Sequence, residues 1–553
     1  MKEFGYFGKP IIPLNDAIEI SQSGRYLVSN DARLEADVIA PEIDFYIACS
    51  KASALEVSKG VSLLYESRAQ VYDLARDVPY EKQVGNRIII VSNEPRDTLK
   101  SLLCDSGYEV ISLASFEVKF VYGAVGELSV ILSDYAGTNL GEVECDLLLA
   151  SHAAPFMLRQ SGCFDIAALS DEAVLEIVKG ASPKYKFKSL TTYDESICQY
   201  AKRRDEICAR CVEVCPTVAI LKDDENRQLV FSHVDCVGCG ECVSVCPSGS
   251  LDFAPFMREA WASVARLYEG KVALVVADES LYKSHVSLPE NVLPLALGAR
   301  FLTQAHLMGL LQESGCAVVL YDSAPARGTS GAVDIINQIY ELKFNKKAIY
   351  LAKNLTELEA ALNEAGTIEG SYYNMSENAL LMREIFAKRV EHLVGDSELG
   401  TVHTDERVRY ANVIINEDKC TLCLSCVGAC NVGALIADKK DNSIKFNASI
   451  CTACGYCESS CAEPGAIEVR TGELRLAPAS FEFIKLASDE LFACIECGKE
   501  FATKKSIEKI ASIMLPHFGA DSLKARTLYC CGECKAKIMF EAQIKQQRGD
   551  IDV

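Results

Sequence analysis

The stretch ICQYAKRRDEICARCVEVCP, residues 197–216, ends on a regular cysteine spacing that its beginning breaks. Cys208, Cys211, Cys215 and Pro216 read C-x2-C-x3-C-P, and a cysteine at 205 would extend the run to C-x2-C-x2-C-x3-C-P. Position 205 is Asp, and the nearest cysteine upstream is Cys198. With 20 residues intervening, a second run is complete: Cys236, Cys239, Cys242, Cys246 and Pro247. Adding 215 to these seven cysteine positions reaches seven more, at 423, 426, 430, 451, 454, 457 and 461, and adding 215 to Asp205 reaches Cys420. Two segments with the same spacings mark an internal repeat.

The spacing C-x2-C-x2-C-x3-C-P supplies four soft thiolates to a [4Fe–4S] core. Each segment therefore reads as a ferredoxin-like module for two clusters, and the chain as a carrier of four [4Fe–4S] clusters. In two-cluster ferredoxins the fourth cysteine of each run ligates the other cluster. Carried over, one set is Cys208, Cys211 and Cys246 with a disputed fourth ligand, and its partner is Cys215, Cys236, Cys239 and Cys242. The second module's sets are Cys420, Cys423, Cys426, Cys461 and Cys430, Cys451, Cys454, Cys457. Zinc is the competing occupant, but it prefers separated knuckles to so crowded a run. Cys430 precedes Asn431 and Cys461 precedes Ala462, where the first module has Pro, so loop geometry and potentials are expected to differ. RQLVFSHVDC and NSIKFNASIC alternate in polarity and read as strands before each second loop.

Three readings compete for the first cluster's open position: Cys198, the Asp205 carboxylate, or no ligand, leaving a three-iron cluster. A carboxylate is a harder donor than the thiolates beside it. Cys198 must reach across QYAKRRDEI, whose charged side chains read as a solvated excursion. The longer loop adds only about 1 kcal/mol of closure entropy. Cys198 is the expected ligand.

Beyond residue 490, FACIECGKEF and LYCCGECKAK form two knuckles, Cys494-x2-Cys497 and Cys531-x2-Cys534, with a helix expected over TKKSIEKIASIML between them. Two separated knuckles read as a zinc-ribbon-like site of four cysteines for Zn2+; rubredoxin-like iron or a further cluster is the alternative, and Cys530 could replace Cys531. The remaining cysteines, 49, 104, 145, 163, 316 and 530, read as buried small hydrophobes.

Twenty-six cysteines in a 553-residue chain without a secretory signal at its N-terminus point away from disulfides. The expectation is a cytoplasmic, soluble protein with no direct membrane insertion, since no apolar run is long enough to span a bilayer. A formal charge of −21 repels nucleic acid and anionic membranes, which favours protein partners. Mean hydropathy of +0.10 describes an ordered globular chain.

Two regions alternate strands and helices and are expected to hold parallel sheets. RIIIVSN, EVISL and CDLLLA are buried-strand runs with DTLKSLLCDSG helical between the first two. KVALVVAD, CAVVLYD and KAIYLAK are separated by helices over ARFLTQAHLMGLLQESG and GAVDIINQIYELK. RGTSG, residues 327–331, reads as a turn whose Gly328 and Gly331 match no nucleotide fingerprint. No Ser/His/Asp set, HExxH or P-loop occurs, so no catalytic residue is assigned. The fold class is mixed α/β and α+β multidomain: an N-terminal α/β domain over 1–185, a 2[4Fe–4S] module over 190–255, a middle α/β domain over 256–400, a second module over 405–475 and a four-cysteine zinc-binding tail over 485–553.

The order C-x9-C-x2-C-x3-C-P, complete second motif, α/β insert, second module and terminal F-x-C-x2-C-G-K-x-F…C-x2-C resembles the bacterial 4Fe–4S polyferredoxins whose genes lie beside formate dehydrogenase genes. In that family a nine-residue interval before the second ligand is usual, which places Cys198 as the first ligand by resemblance. The middle segment NVLPLALGARFLTQAHLMGLLQESGCAVVLYD is similar to the small iron–sulfur subunits of hydrogenase–heterodisulfide reductase systems. The resemblance implies an electron-transfer protein or subunit, rather than a stand-alone enzyme, that serves a partner oxidoreductase such as formate dehydrogenase. A non-catalytic maturation or assembly factor, and a flavin- or NAD-binding oxidoreductase subunit, are the alternatives.

Overall fold

Runs such as Arg87–Val91 (RIIIV) and Leu147–Ala150 (LLLA) lack a polar face, so they are stable only in a sheet covered on both sides. The computed structural model describes residues 2–134, 136–519 and 522–547. The chain divides between Leu380 and Leu381 into two compact units.

In the first unit those runs are central strands of a parallel sheet ordered Cys163–Asp165, Leu147–Ala150, Arg87–Val91, Glu109–Leu113. Ile88, Ile90, Leu147 and Leu149 pack against helices Asp97–Asp105 and Asp171–Ala181 through Leu99, Leu103, Val174 and Val178. The alternate residues Ile89, Val91, Leu148 and Ala150 face Val121, Leu128 and Val130 of the antiparallel strands Val118–Ala124 and Glu127–Ser133. Glu109–Leu113, expected to be buried, is an edge strand with Ile111 exposed, because no strand covers its outer side.

A second parallel sheet, not foreseen from the sequence, joins Ile18–Ser21, Lys2–Phe7, Arg25–Ser29 and Glu35–Ile39. Only residues 30–34 link its last two strands, too few for the usual crossover helix. Helix Ala54–Leu74 follows, with Ser53 accepting the Glu56 N–H as its cap, and Arg68 forms a two-point ion pair with buried Glu42.

The middle region forms the expected parallel sheet, ordered Val292–Ala296, Val272–Val276, Val318–Tyr321, Ile349–Ala352. The helix expected from Ala299 begins at Gln304. Thr303 interacts with His306 Nδ1 at its start, and Ala299–Leu302 form a buried loop except half-buried Arg300. RGTSG is not a turn: it is the first part of helix Arg327–Phe344. Among the described residues no helix is long and apolar enough to cross a membrane.

Around the cysteine runs, elements of the two units stand 215 residues apart. Helices Arg210–Val214 and Glu241–Ser244 in the first unit match Ser425–Ala429 and Tyr456–Ser459 in the second. The hairpin Ile220–Asp223/Gln228–Phe231 matches Leu435–Asp438/Ser443–Phe446. Gly240 and Gly455 share φ 77° and ψ −4°, a left-handed conformation that glycine adopts without Cβ strain. The second unit opens with helix Met382–Val394 and ends in a hairpin, Leu491–Ala493/Glu500–Thr503, and helices Lys504–Phe518, Leu523–Thr527 and Gly532–Gln547.

Candidate metal centres

Each cysteine run is a loop with one short helix before its last cysteine: Arg210–Val214, Glu241–Ser244, Ser425–Ala429 and Tyr456–Ser459. Burial pushes the Cys211 thiol well up, and the charges of Cys246, Cys208, Cys242 and Cys198 push it further. Cys208 is likewise raised to about 11 by burial and by its neighbours Cys246 and Cys198, against the Arg210 N–H and charge. Cys198, Cys208, Cys211 and Cys246 are thus brought together. Cys242 is raised by burial and then by Cys239, Cys236, Cys215 and Cys246. One cavity is lined by Cys215, Cys236, Cys239 and Cys242, with Phe231 and Phe253 in its walls. The fourth cysteine of each run has crossed to the other group.

The second unit repeats the pattern. Burial pushes Cys426 up to about 11, and Cys420, Cys461 and Cys423 add to it. Cys457 is raised by burial and then by Cys451, Cys454, Cys430 and Cys426. Clustered thiols that oppose one another's ionisation suit a positively charged metal core, which draws coordinating thiols into the thiolate form. Of these sixteen cysteines, Cys423 alone is exposed.

Cys198 sits in the same local structure as Cys451, which opens the second run of its module. Asp194 Oδ1 accepts from Ser196 N at 2.9 Å and Ser196 Oγ at 2.6 Å, which caps the short 3-10 turn Glu195–Ile197. Asn447 Oδ1 does the same with Ser449 N at 3.0 Å and Ser449 Oγ at 2.6 Å, capping Ala448–Ile450 before Cys451. Cys198 has φ −68°, ψ 134° and Cys451 φ −65°, ψ 134°. Tyr200 N donates to Cys198 Sγ at 3.5 Å, and Ala453 N to Cys451 Sγ at 3.4 Å. The sequence signal is DESIC beside NASIC: an Asx residue four before the cysteine and a serine two before it. Asp205, by contrast, pairs with Arg204 at 3.0 Å and its side chain is 46% exposed. The intervening QYAKRRDEI is not the solvated excursion expected. Gln199, Tyr200, Ala201 and Arg203 are buried, and Tyr200 Oη donates to Asp224 Oδ1 at 2.6 Å, folding the segment onto the hairpin turn.

At the tail, the Sγ atoms of Cys494, Cys497, Cys531 and Cys534 all lie within 4.8 Å of one another. Gly498, at φ 72°, turns the first knuckle and returns its N–H to the Cys494 carbonyl at 2.8 Å. Although burial acts to raise it, the N–H groups of Cys531, Glu496 and Cys497 hold the Cys494 thiol down to about 6, favouring the metal-binding thiolate. Cys530 is in the supporting wall, its sulfur 3.4 Å from the Arg526 carbonyl. Thr503 Oγ1 and Ser506 Oγ donate to the Thr421 carbonyl at 2.8 and 2.7 Å, fastening the tail to the loop between Cys420 and Cys423. Of the cysteines read as buried hydrophobes, Cys145, Cys163, Cys316 and Cys530 are buried, Cys49 is half-buried and Cys104 is exposed at the end of its helix.

Doubly wound sheets bind nucleotides beyond the carboxyl ends of their strands. In the middle sheet that place is taken by the first cysteine module. Arg300 N, just past Val292–Ala296, donates to the Cys239 carbonyl at 2.8 Å, and the start of helix Arg327–Phe344 abuts Ser244. Gly328 makes that approach possible, because a Cβ there would lie 2.0 Å from the Ser244 carbonyl oxygen. Gly328 and Gly331 are both buried in this helix start.

Comparison with known proteins agrees with the geometry. The 4Fe-4S dicluster domain matches residues 206–250 and again residues 412–462. The first match starts after Asp205, so Cys198 lies outside it; the second contains all eight cysteines from Cys420 to Cys461. An uncharacterized ferredoxin of Methanocaldococcus jannaschii is 34% identical over 64 residues, 12% of this chain and 94% of that protein. The arsenate respiratory reductase iron-sulfur subunit ArrB of Shewanella sp. (strain ANA-3) is 37% identical over 76 residues, 14% of this chain and 28% of the subunit's length. With two dicluster domains, converging cysteine runs and a relative matched over nearly its whole length, the chain belongs to the ferredoxin-type iron–sulfur proteins, whose chemistry is electron transfer.

Proposed function

We propose that the chain relays electrons through four [4Fe–4S] clusters to or from a partner oxidoreductase. The observation that carries this reading is the gathering of sixteen cysteines into four groups, each taking its last member from the neighbouring run. Cys198, Cys208, Cys211 and Cys246 form the first site, and Cys215, Cys236, Cys239 and Cys242 the second. The third is Cys420, Cys423, Cys426 and Cys461, and the fourth is Cys430, Cys451, Cys454 and Cys457. The exposed Cys423 makes the third site the natural port for exchange with a partner, since electron transfer between proteins favours the cluster nearest the surface. Clusters supply one-electron chemistry when bound; the protein's part is to hold them close together and to set their potentials.

Formate dehydrogenase is the partner suggested by the polyferredoxin resemblance, and the likeness to a respiratory reductase's iron-sulfur subunit supports service to an oxidoreductase of that kind. The tail is proposed to hold Zn2+ in a closed, structural site of four cysteines. The cover over the carboxyl ends of the middle sheet favours a relay over a nucleotide-binding subunit. Anaerobic purification should yield about sixteen iron and one zinc per chain, and iron near half that amount would refute the four-cluster reading. Formate plus its dehydrogenase should reduce the clusters reversibly. A partner that needs the chain during assembly but not during turnover would instead make it a maturation factor.

A further inference from the structure

The second and fourth cluster sites occupy matching positions of the two modules, yet the buried charged side chains beside them differ in sign. Beside the second site, half-buried Glu241 stands between Cys239 and Cys242 at the start of the helical turn Glu241–Ser244. Asp235, buried and adjacent to Cys236, accepts from Ser161 N at 2.8 Å and from Ser232 Oγ. Arg300 approaches the same loop with its backbone N–H but turns its guanidinium to Asp322, 3.2 Å away. The positions 215 residues on are neutral, Ile450 for Asp235 and Tyr456 for Glu241; the fourth site's own carboxylate, Glu458 in place of Val243, is exposed to solvent.

The fourth site has a buried cation instead. Arg383 is 2% exposed on helix Met382–Val394, which packs against the turn Ala448–Ile450 that leads into Cys451. Its guanidinium carbon lies 4.3 Å from the centre of the Tyr410 ring, and Nη2 donates to the Arg409 carbonyl at 2.7 Å. Strand Ala411–Ile415, which follows Tyr410, packs against the same turn, so Arg383 and the Tyr410 ring stand on the side from which the chain enters Cys451.

Reducing a cluster adds one negative charge. A buried cation and N–H donors stabilise the reduced form, and a carboxylate destabilises it, with little screening inside the protein. We infer that the cluster held by Cys430, Cys451, Cys454 and Cys457 has a higher midpoint potential than its counterpart at Cys215, Cys236, Cys239 and Cys242, with Arg383 and Glu241 as the residues that separate them. This rests on the four-cluster reading above. Arg383 acts as a positioning charge and is not a ligand.

The test is an EPR-monitored redox titration of the full chain, with iron analysis of every sample. Arg383→Met should move one midpoint to lower potential and leave the others in place, and Arg383→Lys should return it most of the way. Tyr456→Glu, at a half-buried position, should lower the same signal. Glu241→Gln should raise a different signal that lies below the first in the unsubstituted protein. Full iron with no midpoint moved by Arg383→Met overturns the inference, as does a Glu241-sensitive signal lying above the Arg383-sensitive one. If Arg383→Met loses iron, Tyr456→Glu decides: an unmoved midpoint there also overturns it. Iron short of four clusters in the unsubstituted protein refutes the cluster reading instead.

Discussion

Gly328→Ala tests whether the middle sheet and the first cluster module are held as one packed body. Gly328 is the second residue of helix Arg327–Phe344, and a Cβ there would meet the Ser244 carbonyl oxygen at 2.0 Å and its carbon at 2.3 Å. A relaxed C···O contact is about 3.3 Å or more, so the two backbones must part by more than about 1 Å. Both obstructing atoms are backbone and cannot rotate aside. Overpacking of this kind costs about 1–3 kcal/mol, and stretching the nearby Arg300 N to Cys239 O bond adds about 1 kcal/mol. Alanine's helix propensity returns at most about 1 kcal/mol. The clash wins, with a net loss of about 2 kcal/mol. Trp261, the only tryptophan in the chain, is buried on helix Arg258–Leu267 of the same region and donates from Nε1 to the His306 carbonyl at 2.8 Å. Its fluorescence during urea unfolding reports this region separately. At about 2 kcal/mol per molar urea the midpoint should fall by about 1 M, with parallel loss of absorbance from the cluster at Cys215, Cys236, Cys239 and Cys242. Gly366→Ala, where a Cβ meets nothing within 4 Å, is the control. If both variants unfold alike, the packing argument is wrong.

Cys198→Ala should convert one cluster to a [3Fe–4S] form or eliminate it, while Asp205→Ala should retain full iron; EPR and iron analysis showing the reverse would assign the site to the carboxylate. Cys497→Ala should abolish metal binding by the tail and, through Thr503 and Ser506 on the Thr421 carbonyl, make the cluster at Cys420, Cys423, Cys426 and Cys461 more labile to oxygen. The other three clusters should bleach at the unsubstituted rate, and uniform bleaching would count against that linkage. Arg68→Met strands the Glu42 carboxylate, 2% exposed, and should cost about 3 kcal/mol at neutral pH by urea unfolding. An Arg68→Met variant as stable as the unsubstituted protein would argue against a stranded charge.

The cluster loops were legible because ligand spacing is a local property: cysteines two or three residues apart reach one core only by curling around it, and that curl is encoded within about ten residues. The tail knuckles follow the same logic. The buried strands of the two expected sheets were legible because their runs have no polar face. Cys198, the proposed first ligand, also has a local mark, the Asx–x–Ser–Ile–Cys pattern shared by residues 194–198 and 447–451, although register alone points to Asp205.

What the sequence by itself determined was therefore which cysteines are the candidates to hold each centre. Tertiary structure alone decided what stands beside them. QYAKRRDEI is charged yet half enters the core, because Tyr200 finds Asp224 across a hairpin. RGTSG opens a helix whose second residue must lack a side chain, because Ser244, 84 positions earlier, occupies that space. Arg383 carries no motif, and only the packing of its helix on the turn Ala448–Ile450 makes it a buried charge near Cys451, 68 positions on. Burial and electrostatic environment depend on distances between chain segments far apart in sequence, and neither spacing nor periodicity records those distances.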